Sequence, residues 1–567
     1  MVRGMALVVA AALLPWACGG DDDVPGPGAG GTSSGGGATA GSGADAGADA
    51  GTDATGPSVC GDGACEADES CTDCLADCGA CPREMIPGVR GFADTTGPFE
   101  GQGDPAICIV DTLAWTDDAL VVDADYGGSG LSVLKGSLRR CLADSDQITA
   151  GQGRIVLFEV GGTINANGPY VDLRLRDLDQ TPRGIGNIWV AGQTAPPPGI
   201  TLYNVKIISH GHHTIWQHLR FRLDDDGLDC LEAQNHKGFQ AISYQTDPRP
   251  EHTIFDHNSV SYGIDNLVSF SSHSTVTNNI FALALHVSRH PKTYDYGVAS
   301  ATCPGDCECQ YGESLNGHSK GVMMTGASRV ALIGNIMAFN EDRNPLLQGG
   351  VQEIYLANNV THRVTFPIMI SSSTEAQTIT AVGNVAQLAG GSLRNFATIW
   401  REPVMPGSAL YFEDNLCEGV AQTSADDWSA VRLASGVTDA AKITDATLAA
   451  SVDGFTPLAS SATRAHVLAH AGARPAALDG VDALVVDRIT NETGNYIDAP
   501  EEIPNPFPDM AASTTRNLAS EMTGAGQWPI PTSPFADSDG DGRLDIVEWL
   551  NQLDEEVGGN DNPTEYP

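Results

Sequence analysis

T-V-T-N-N-I (275–280), R-V-A-L-I-G-N-I (329–336), E-I-Y-L-A-N-N-V (353–360) and T-I-T-A-V-G-N-V (378–385) are four statements of one phrase. Each is a short β-branched run that closes on Asn and restarts on an aliphatic residue. Runs of about five residues bounded by Gly, Asn or Ser read as strands. The hinge recurs as Asn279-Ile280, Asn335-Ile336, Asn359-Val360, Asn384-Val385 and Asn415-Leu416. Where no loop intervenes, the step is a little over twenty residues, within the range of solenoids and propellers. Asn tolerates left-handed backbone and carries both a donor and an acceptor. Set at one corner of successive turns, it can bond to the turns on either side. The phrase therefore predicts a right-handed parallel β-helix whose coils bury their inward residues against their neighbours. A propeller needs four antiparallel strands per repeat, and hairpin signals are too sparse for that.

Similar runs extend upstream: R-I-V-L-F-E-V (154–160), N-I-W-V-A-G (187–192), V-K-I-I-S (205–209), T-I-W-Q-H-L-R-F-R (214–222) and H-T-I-F-D-H (252–257). An all-β solenoid is expected over residues 83–425. An insertion between His286 and His318 breaks the period and carries Cys303, Cys307 and Cys309. Long loops inside solenoids are often functional, and these cysteines are expected to staple it, with Cys230 or Cys417 as outside partner. With Cys108 and Cys141 that makes seven cysteines, so one should remain unpaired. Residues 426–530 turn helical and irregular. T-R-A-H-V-L-A-H-A-G (463–472) and A-L-D-G-V-D-A-L-V-V-D-R-I-T-N (477–491) predict short helices on the end or flank of the solenoid.

The N-terminal part reads as delivery. Residues 1–18 place Arg3 before about 13 apolar residues and end at Cys18, an export signal too short to stay as a membrane anchor. Cys18 after Ala17 resembles a lipoprotein cleavage site, so a lipid anchor and simple secretion are both expected destinations, in either case with a disulfide-permissive compartment. Residues 19–58 are a flexible acidic Gly/Ala/Ser tether. Residues 59–82 hold Cys60, Cys65, Cys71, Cys74, Cys78 and Cys81. In an exported chain three disulfides are the preferred reading over a zinc ribbon.

The full chain of 567 residues has a formal charge of −42. That excludes a nucleic-acid partner, which needs a basic face. It also makes a polyanion an awkward partner, unless a metal or a local basic patch reverses the field. A monomer is expected. In the tail, 531–567, Asp537, Asp539, Asp541, Asp545 and Glu548 fall at positions 1, 3, 5, 9 and 12 of a twelve-residue loop. Gly542 is at position 6 and the carbonyl of Arg543 at 7. This is the EF-hand spacing for Ca2+.

Between Asp256 and Pro345 the runs carry unusual charge. D-H-N-S-V-S-Y-G-I-D (256–265), N-G-H-S-K-G-V-M-M-T-G (316–326) and N-E-D-R-N-P (340–345) place a carboxylate, an ammonium and a guanidinium where strand ends meet turns. Together with G-V-R-G-F-A (88–93), F-E-V-G-G-T-I (158–164) and I-W-V-A-G-Q-T-A-P-P-P-G-I (188–200), they resemble the pectate lyases, polysaccharide lyase family 1. The resemblance covers residues 83–425, and more weakly His-Ala-Gly-Ala-Arg-Pro at 470–475. It implies β-elimination on polygalacturonate or a related acidic polysaccharide. Removing the C5 proton of a 4-linked uronate loads charge onto the adjacent carboxylate, which cations stabilise. By the resemblance Arg343, in Arg-x-Pro, inherits the base, and Lys320, in His318-x-Lys, the carboxylate clamp. His318 and Gln348 are expected to bind the substrate with them. Asp265 matches one calcium ligand of the family. Ser269 and Gln240 stand where it has acids, and Gln348 where it has a second Arg. Asp224, Asp225, Asp226 and Asp229 lie one turn earlier as candidate replacement Ca2+ ligands, Asp226 and Asp229 foremost. Asp256-His257 is expected to hold the corner together rather than touch substrate. Two rival functions are a non-catalytic polysaccharide-binding β-helix and a polygalacturonase-type hydrolase, though the hydrolase's Gly-His-Gly turn is absent from the sequence.

Overall fold

The computed structural model describes residues 86–558 except 87–88, 94–96, 144–146, 150, 167–170, 176–184, 225–237, 241–250, 287–318, 372–374, 388–396, 400–404, 419–426, 435–441, 447–448, 475–476, 521–528 and 539–542. The leader, the tether, the six-cysteine stretch, and the cysteines of the insertion lie outside the described residues.

Strands follow one another in threes, each laid on its counterpart one coil earlier. Thr253–Asp256, Ser259–Ser261 and Asn266–Phe270 form one coil; Ser274–Thr277, Ile280–Ala282 and Lys320–Thr325 form the next. Thr253 pairs with Ser274, Ser259 with Ile280 and Asn266 with Lys320, all parallel. Among the described residues, repetition builds three walls of 13, 10 and 9 strands, called here the first, second and third sheets. The exceptions to parallel pairing among these strands are Val121–Asp123 against Val133–Ser137, and Ser513–Thr515 against Val160–Asn165. This is the right-handed parallel β-helix that the repeated phrase predicts, with the hand that parallel crossovers adopt.

The corner between the first and second sheets shows why the phrase ends in Asn. Asn258, Asn279, Asn335, Asn359, Asn384 and Asn415 stack up the solenoid. The Nδ2 of Asn279 donates to Oδ1 of Asn335 (2.9 Å), Asn335 to Asn359 (3.0 Å), Asn359 to Asn384 (2.9 Å) and Asn384 to Asn415 (2.9 Å). The rungs are 24, 25 and 31 residues apart from Asn335 upward, and the insertion stretches one step to 56. All six are buried. The residue before each is left-handed: His257, Asn278, Gly334, Asn358, Gly383 and Asp414, with φ between 50° and 69°. At Gly383 a Cβ would also lie 2.6 Å from the carbonyl of Leu458, so glycine is required there on both counts.

The interior is apolar, and a cluster of aromatic rings fills a few middle coils. Phe239 and Phe255 have ring centroids 4.6 Å apart, Trp216 and Phe239 5.3 Å, Phe255 and Phe270 5.6 Å. Cys108 and Cys141 form a disulfide across 33 residues near the N-terminal end, a pairing that spacing left open. Loops of that size give about 3–4 kcal/mol in the chain-entropy picture.

The outer faces are covered unequally. Against the first sheet's Ile155, Trp189 and Ile215 pack Leu544, Ile546, Val547 and Trp549 of the tail helix region. Against the second sheet's Ile280, Ile336 and Val360 pack Val467, Val481, Val485 and Ile489. The last four belong to the helices Ser460–His470 and Gly480–Thr490. They lie on the flank, not the end. Gly480 is a poor helix residue, but Asp479 caps the start by accepting from the N–H groups of Val481 and Asp482. The solenoid itself continues past residue 425, through Val431–Leu433 and Lys442–Ile443. The sequence boundary was drawn where the Asn phrase stops, and the last coil has no Asn rung.

Candidate active site

Three successive coils of the third sheet build the site at the edge where the second sheet turns into the third. Asp265 ends one turn, directly before Asn266–Phe270. Lys320 opens Lys320–Thr325, one coil on, opposite Asn266. Arg343 sits in the turn before Leu346–Gln348, one coil further. Coils are about 4.8 Å apart, so side chains as long as lysine and arginine reach back to one carboxylate. They do: Lys320 Nζ lies 3.5 Å, and Arg343 Nη1 3.8 Å, from the same Oδ1 of Asp265. The three side chains are only 10%, 14% and 11% exposed for Lys320, Arg343 and Asp265. Partial burial strengthens each charge interaction relative to water.

Backbone contacts fix this meeting. Asp342 bridges Lys320. The N–H of Gly321 donates to Asp342 O (3.0 Å), and that of Val322 to Arg343 O (2.6 Å). A Cβ at Gly321 would lie 2.7 Å from Arg343 O and 2.7 Å from Asn344 Oδ1, so Lys-Gly is the pair that lets the arginine turn dock. Arg343 is left-handed, φ 61°, a conformation costly for a non-glycine residue and frequent at functional sites. Its Nη1 donates to Asn266 Oδ1 (2.6 Å) and lies 3.4 Å from Met323 Sδ.

Asn266 and Met323 were not anticipated; Asn266 follows Asp265 directly, but neither residue type announces a site. Nor was the adjoining wall. His286 Nε2 lies 3.5 Å from Glu341 Oε2, and its Nδ1 3.5 Å from Asp498 Oδ1. The imidazole stacks on Tyr496 at 5.2 Å. Tyr496 is bonded to Thr365 (2.9 Å) and its phenol is pushed up to about 12 by burial, so it is neutral at ordinary pH. The C-terminal segment thus borders the turn that carries Arg343.

Other expected residues fall elsewhere. Gln348 does not join the cations: its Nε2 donates to Thr325 Oγ1 (3.1 Å) at the opposite end of the strand that Lys320 begins, about 16 Å away. Strand register thus places Gln348 at the far edge from the two cations. His318, Asp226 and Asp229 lie outside the described residues. Ser269 is buried in the same strand as Asn266, opposite Met323. Around the two cations Asp265 is thus already shared, and the described residues do not assemble the six to eight oxygens that Ca2+ takes. Asp256-His257 behaves as a corner pin. Asp256 is buried, lies 3.0 Å from His257 Nδ1, and accepts from Thr277 (2.6 Å) and Gln217 (3.0 Å). Burial pushes its carboxyl up, but the charge of His257 and these bonds hold it below the usual range.

In the tail loop, Asp539 and Asp541 lie outside the described residues. Asp545 begins the helix Asp545–Gly558, which puts Glu548 in its first turn. The carboxylate of Asp545 accepts from the N–H (2.9 Å) and hydroxyl (2.7 Å) of Ser538.

No protein-family model and no curated protein sequence matches this chain. Solved structures do. The cedar-pollen major allergen jun a 1 matches at 15% identity and TM-score 0.35, over 72% of this chain and 97% of its own. A pectate lyase from Acidovorax avenae subsp citrulli matches at 12% identity and TM-score 0.37, over 70% and 96%. A Bacillus pectate lyase in complex with trigalacturonate matches at 11% identity and TM-score 0.36, over 68% and 98%.

Proposed function

We propose that this protein is a polysaccharide lyase that cleaves a 4-linked uronate polymer, of the polygalacturonate type, by β-elimination at the Lys320–Asp265–Arg343 edge. The carrying observation is that two cations share one carboxylate oxygen. Two cations on neighbouring coils suit the carboxylate of a uronate, and in a chain of net charge −42 they offer it a local basic patch.

In this reading the sugar carboxylate takes the place of Asp265 between the two cations. Lys320 neutralises it as the C5–H bond breaks, which favours charge flowing onto the carboxylate. The C5 proton goes to the base. The C5–H electron pair forms the C4–C5 double bond, and the C4–O bond breaks, its oxygen leaving with a proton. Arg343 takes the base role by its match to the family motif. Paired with Asp265 it is a counter-ion and not a base, so the carboxylate exchange comes first, and the guanidinium must then give a proton to solvent before it takes the one from C5; solvent water supplies the proton to the leaving oxygen. Ca2+ belongs to the proposal in two places. In the tail loop Asp537, Asp539, Asp541, Asp545, Glu548 and the carbonyl of Arg543 would hold it. In the cleft Asp265 would need Asp226 and Asp229 to do so, and no step above depends on it. The reading also carries an exported chain, secreted or lipid-anchored through Cys18, acting as a monomer.

A binding protein without catalysis is the second reading, favoured by the displacement of Gln348 and by Ser269 in place of an acid. Adding polygalacturonate to the purified chain separates them. A rise in the ultraviolet absorbance of unsaturated uronate is the expected result. New reducing ends without that rise indicate a hydrolase. Bound polymer with neither signal indicates a binder and refutes the lyase.

A further inference from the structure

At the opposite edge of the third sheet, where the chain turns into the first, successive coils repeat histidine. His213, His252 and His273 each directly precede a first-sheet strand, and the residues after them, Thr214, Thr253 and Ser274, are paired in register. The rings of His213 and His252 stack at 4.8 Å and 1°, those of His252 and His273 at 4.9 Å and 18°. All three residues are left-handed, with φ of 56°, 60° and 51°. The turn does not demand imidazole: one coil earlier Asn187 fills the equivalent place at φ 57°, and two coils later Glu353 does so at 49°. Left-handed backbone favours Gly and Asn, so a run of three histidines calls for another account. Glu251 supplies one. Its Oε2 lies 3.4 Å from His273 Nδ1, and one donor atom each from Glu251, His252 and His273 fall within 4.8 Å of one another. The group is half-buried at the surface, open to an ion from solvent.

We propose that Glu251, His252 and His273 bind a divalent first-row transition-metal ion of the zinc, nickel or copper class. Two imidazoles and a carboxylate suit such ions and not Ca2+, which takes oxygen. Bonds of about 2.0 Å need donors about 3.3 Å apart, so the two stacked rings must tilt towards each other. The bound ion would clip two consecutive coils, and His213 stands one rung away as the neighbouring base. The proposal is independent of the uronate site, which lies across the width of the sheet.

The test uses the full chain, stripped of metal and then saturated with Ca2+ to occupy the oxygen-rich tail loop. Titration with NiCl2 by calorimetry is compared between the unaltered protein and the His252→Gln/His273→Gln pair. The unaltered protein is expected to take up one equivalent more than the pair, and Glu251→Gln to weaken that equivalent at least tenfold. Because the pair could misfold, Cu2+ bound at one equivalent to the unaltered protein is also examined by electron paramagnetic resonance. Coupling to two nitrogens is expected. Equal nickel stoichiometry in a folded variant, or a copper spectrum without two-nitrogen coupling, overturns the proposal.

Discussion

Two ion clusters of similar make-up sit on neighbouring faces of this solenoid. Under the Gly480–Thr490 helix, Arg220 and Arg222 meet Asp479 and Asp482. At the third-sheet edge, Lys320 and Arg343 meet Asp265. In the first, the arginines and the two helix aspartates are 0–1% exposed. Arg222 Nη2 lies 2.9 Å from both Asp479 and Asp482, and Nη1 donates to Ser259 Oγ (2.8 Å). Arg220 donates to the carbonyls of Pro198 (2.6 Å) and Ala477 (3.1 Å). Asp509 lies 3.7 Å from Arg220 as well, so three carboxylates face the two buried guanidinium groups. In the second cluster the ion pairs are 3.5 and 3.8 Å, one carboxylate oxygen serves two cations, and solvent reaches all three. The lesson is that charge type does not separate the two clusters; closure does. The sealed cluster holds the C-terminal segment onto the second sheet, and the open one leaves its two cations within reach of solvent, as the proposed function needs.

The comparison can be broken first at its sealed side. Asp479→Ala leaves two buried guanidinium groups short of a partner and uncaps the helix. Unfolding in urea should show a loss of about 3–5 kcal/mol; a loss under about 1 kcal/mol would contradict the sealed reading. Lys320→Ala addresses the open side. It should lower the lyase rate by about 10²–10³-fold while stability stays within about 1 kcal/mol. A large stability loss with activity intact would exchange the roles of the two clusters.

Smaller effects sharpen the picture. Asn359→Leu removes one rung of the ladder and orphans the buried N–H of Asn335 and carbonyl of Leu332, at a cost of about 1–3 kcal/mol in the same urea measurement. The pH dependence of the sealed cluster has two opposed parts. Asp482 is pushed up to about 6, by burial foremost and by Asp479, against the pull of Arg222. The folded state therefore holds that proton longer than the unfolded chain, and stability falls as pH rises from about 4 to 6. For Asp479 burial acts upward, but Arg222 and Arg220 outweigh it and the carboxyl lies below the usual range. Its contribution is present above about pH 4 and lost in more acid solution. Asp482→Asn should flatten the denaturation midpoint between pH 4.5 and 6.5 and leave the acid loss in place. Finally, chelation of Ca2+ should lower the melting temperature by a few degrees through the tail loop, and Asp545→Ala should make the melt indifferent to chelator.

Much of the fold was legible because its signal is periodic. One corner needs a left-handed residue followed by a stacking amide, so Asn-Asn and Gly-Asn recur and can be counted. The last coil was missed because it lacks that amide. The site was legible where residue type and motif coincide, at Lys320, Arg343 and Asp265, whose meeting follows from their places at the starts of three stacked strands. The distance of Gln348 from the two cations was not legible, because motif spacing does not convey the length of a strand. Asn266, Met323 and the His286–Tyr496 wall were invisible, the first two because their types are unremarkable. The wall joins segments far apart in sequence, and only packing brings them together.

The central claim is that the open cluster does chemistry on an acidic sugar. Arg343→Lys keeps the positive charge and removes the guanidinium. Initial rates of unsaturated-uronate formation from polygalacturonate, measured beside oligogalacturonate binding by calorimetry, test it most directly. The account predicts a rate lower by about 10²-fold or more with affinity changed less than tenfold. A variant that forms product at the unaltered rate, or an unaltered protein that binds the sugar and forms none, contradicts it.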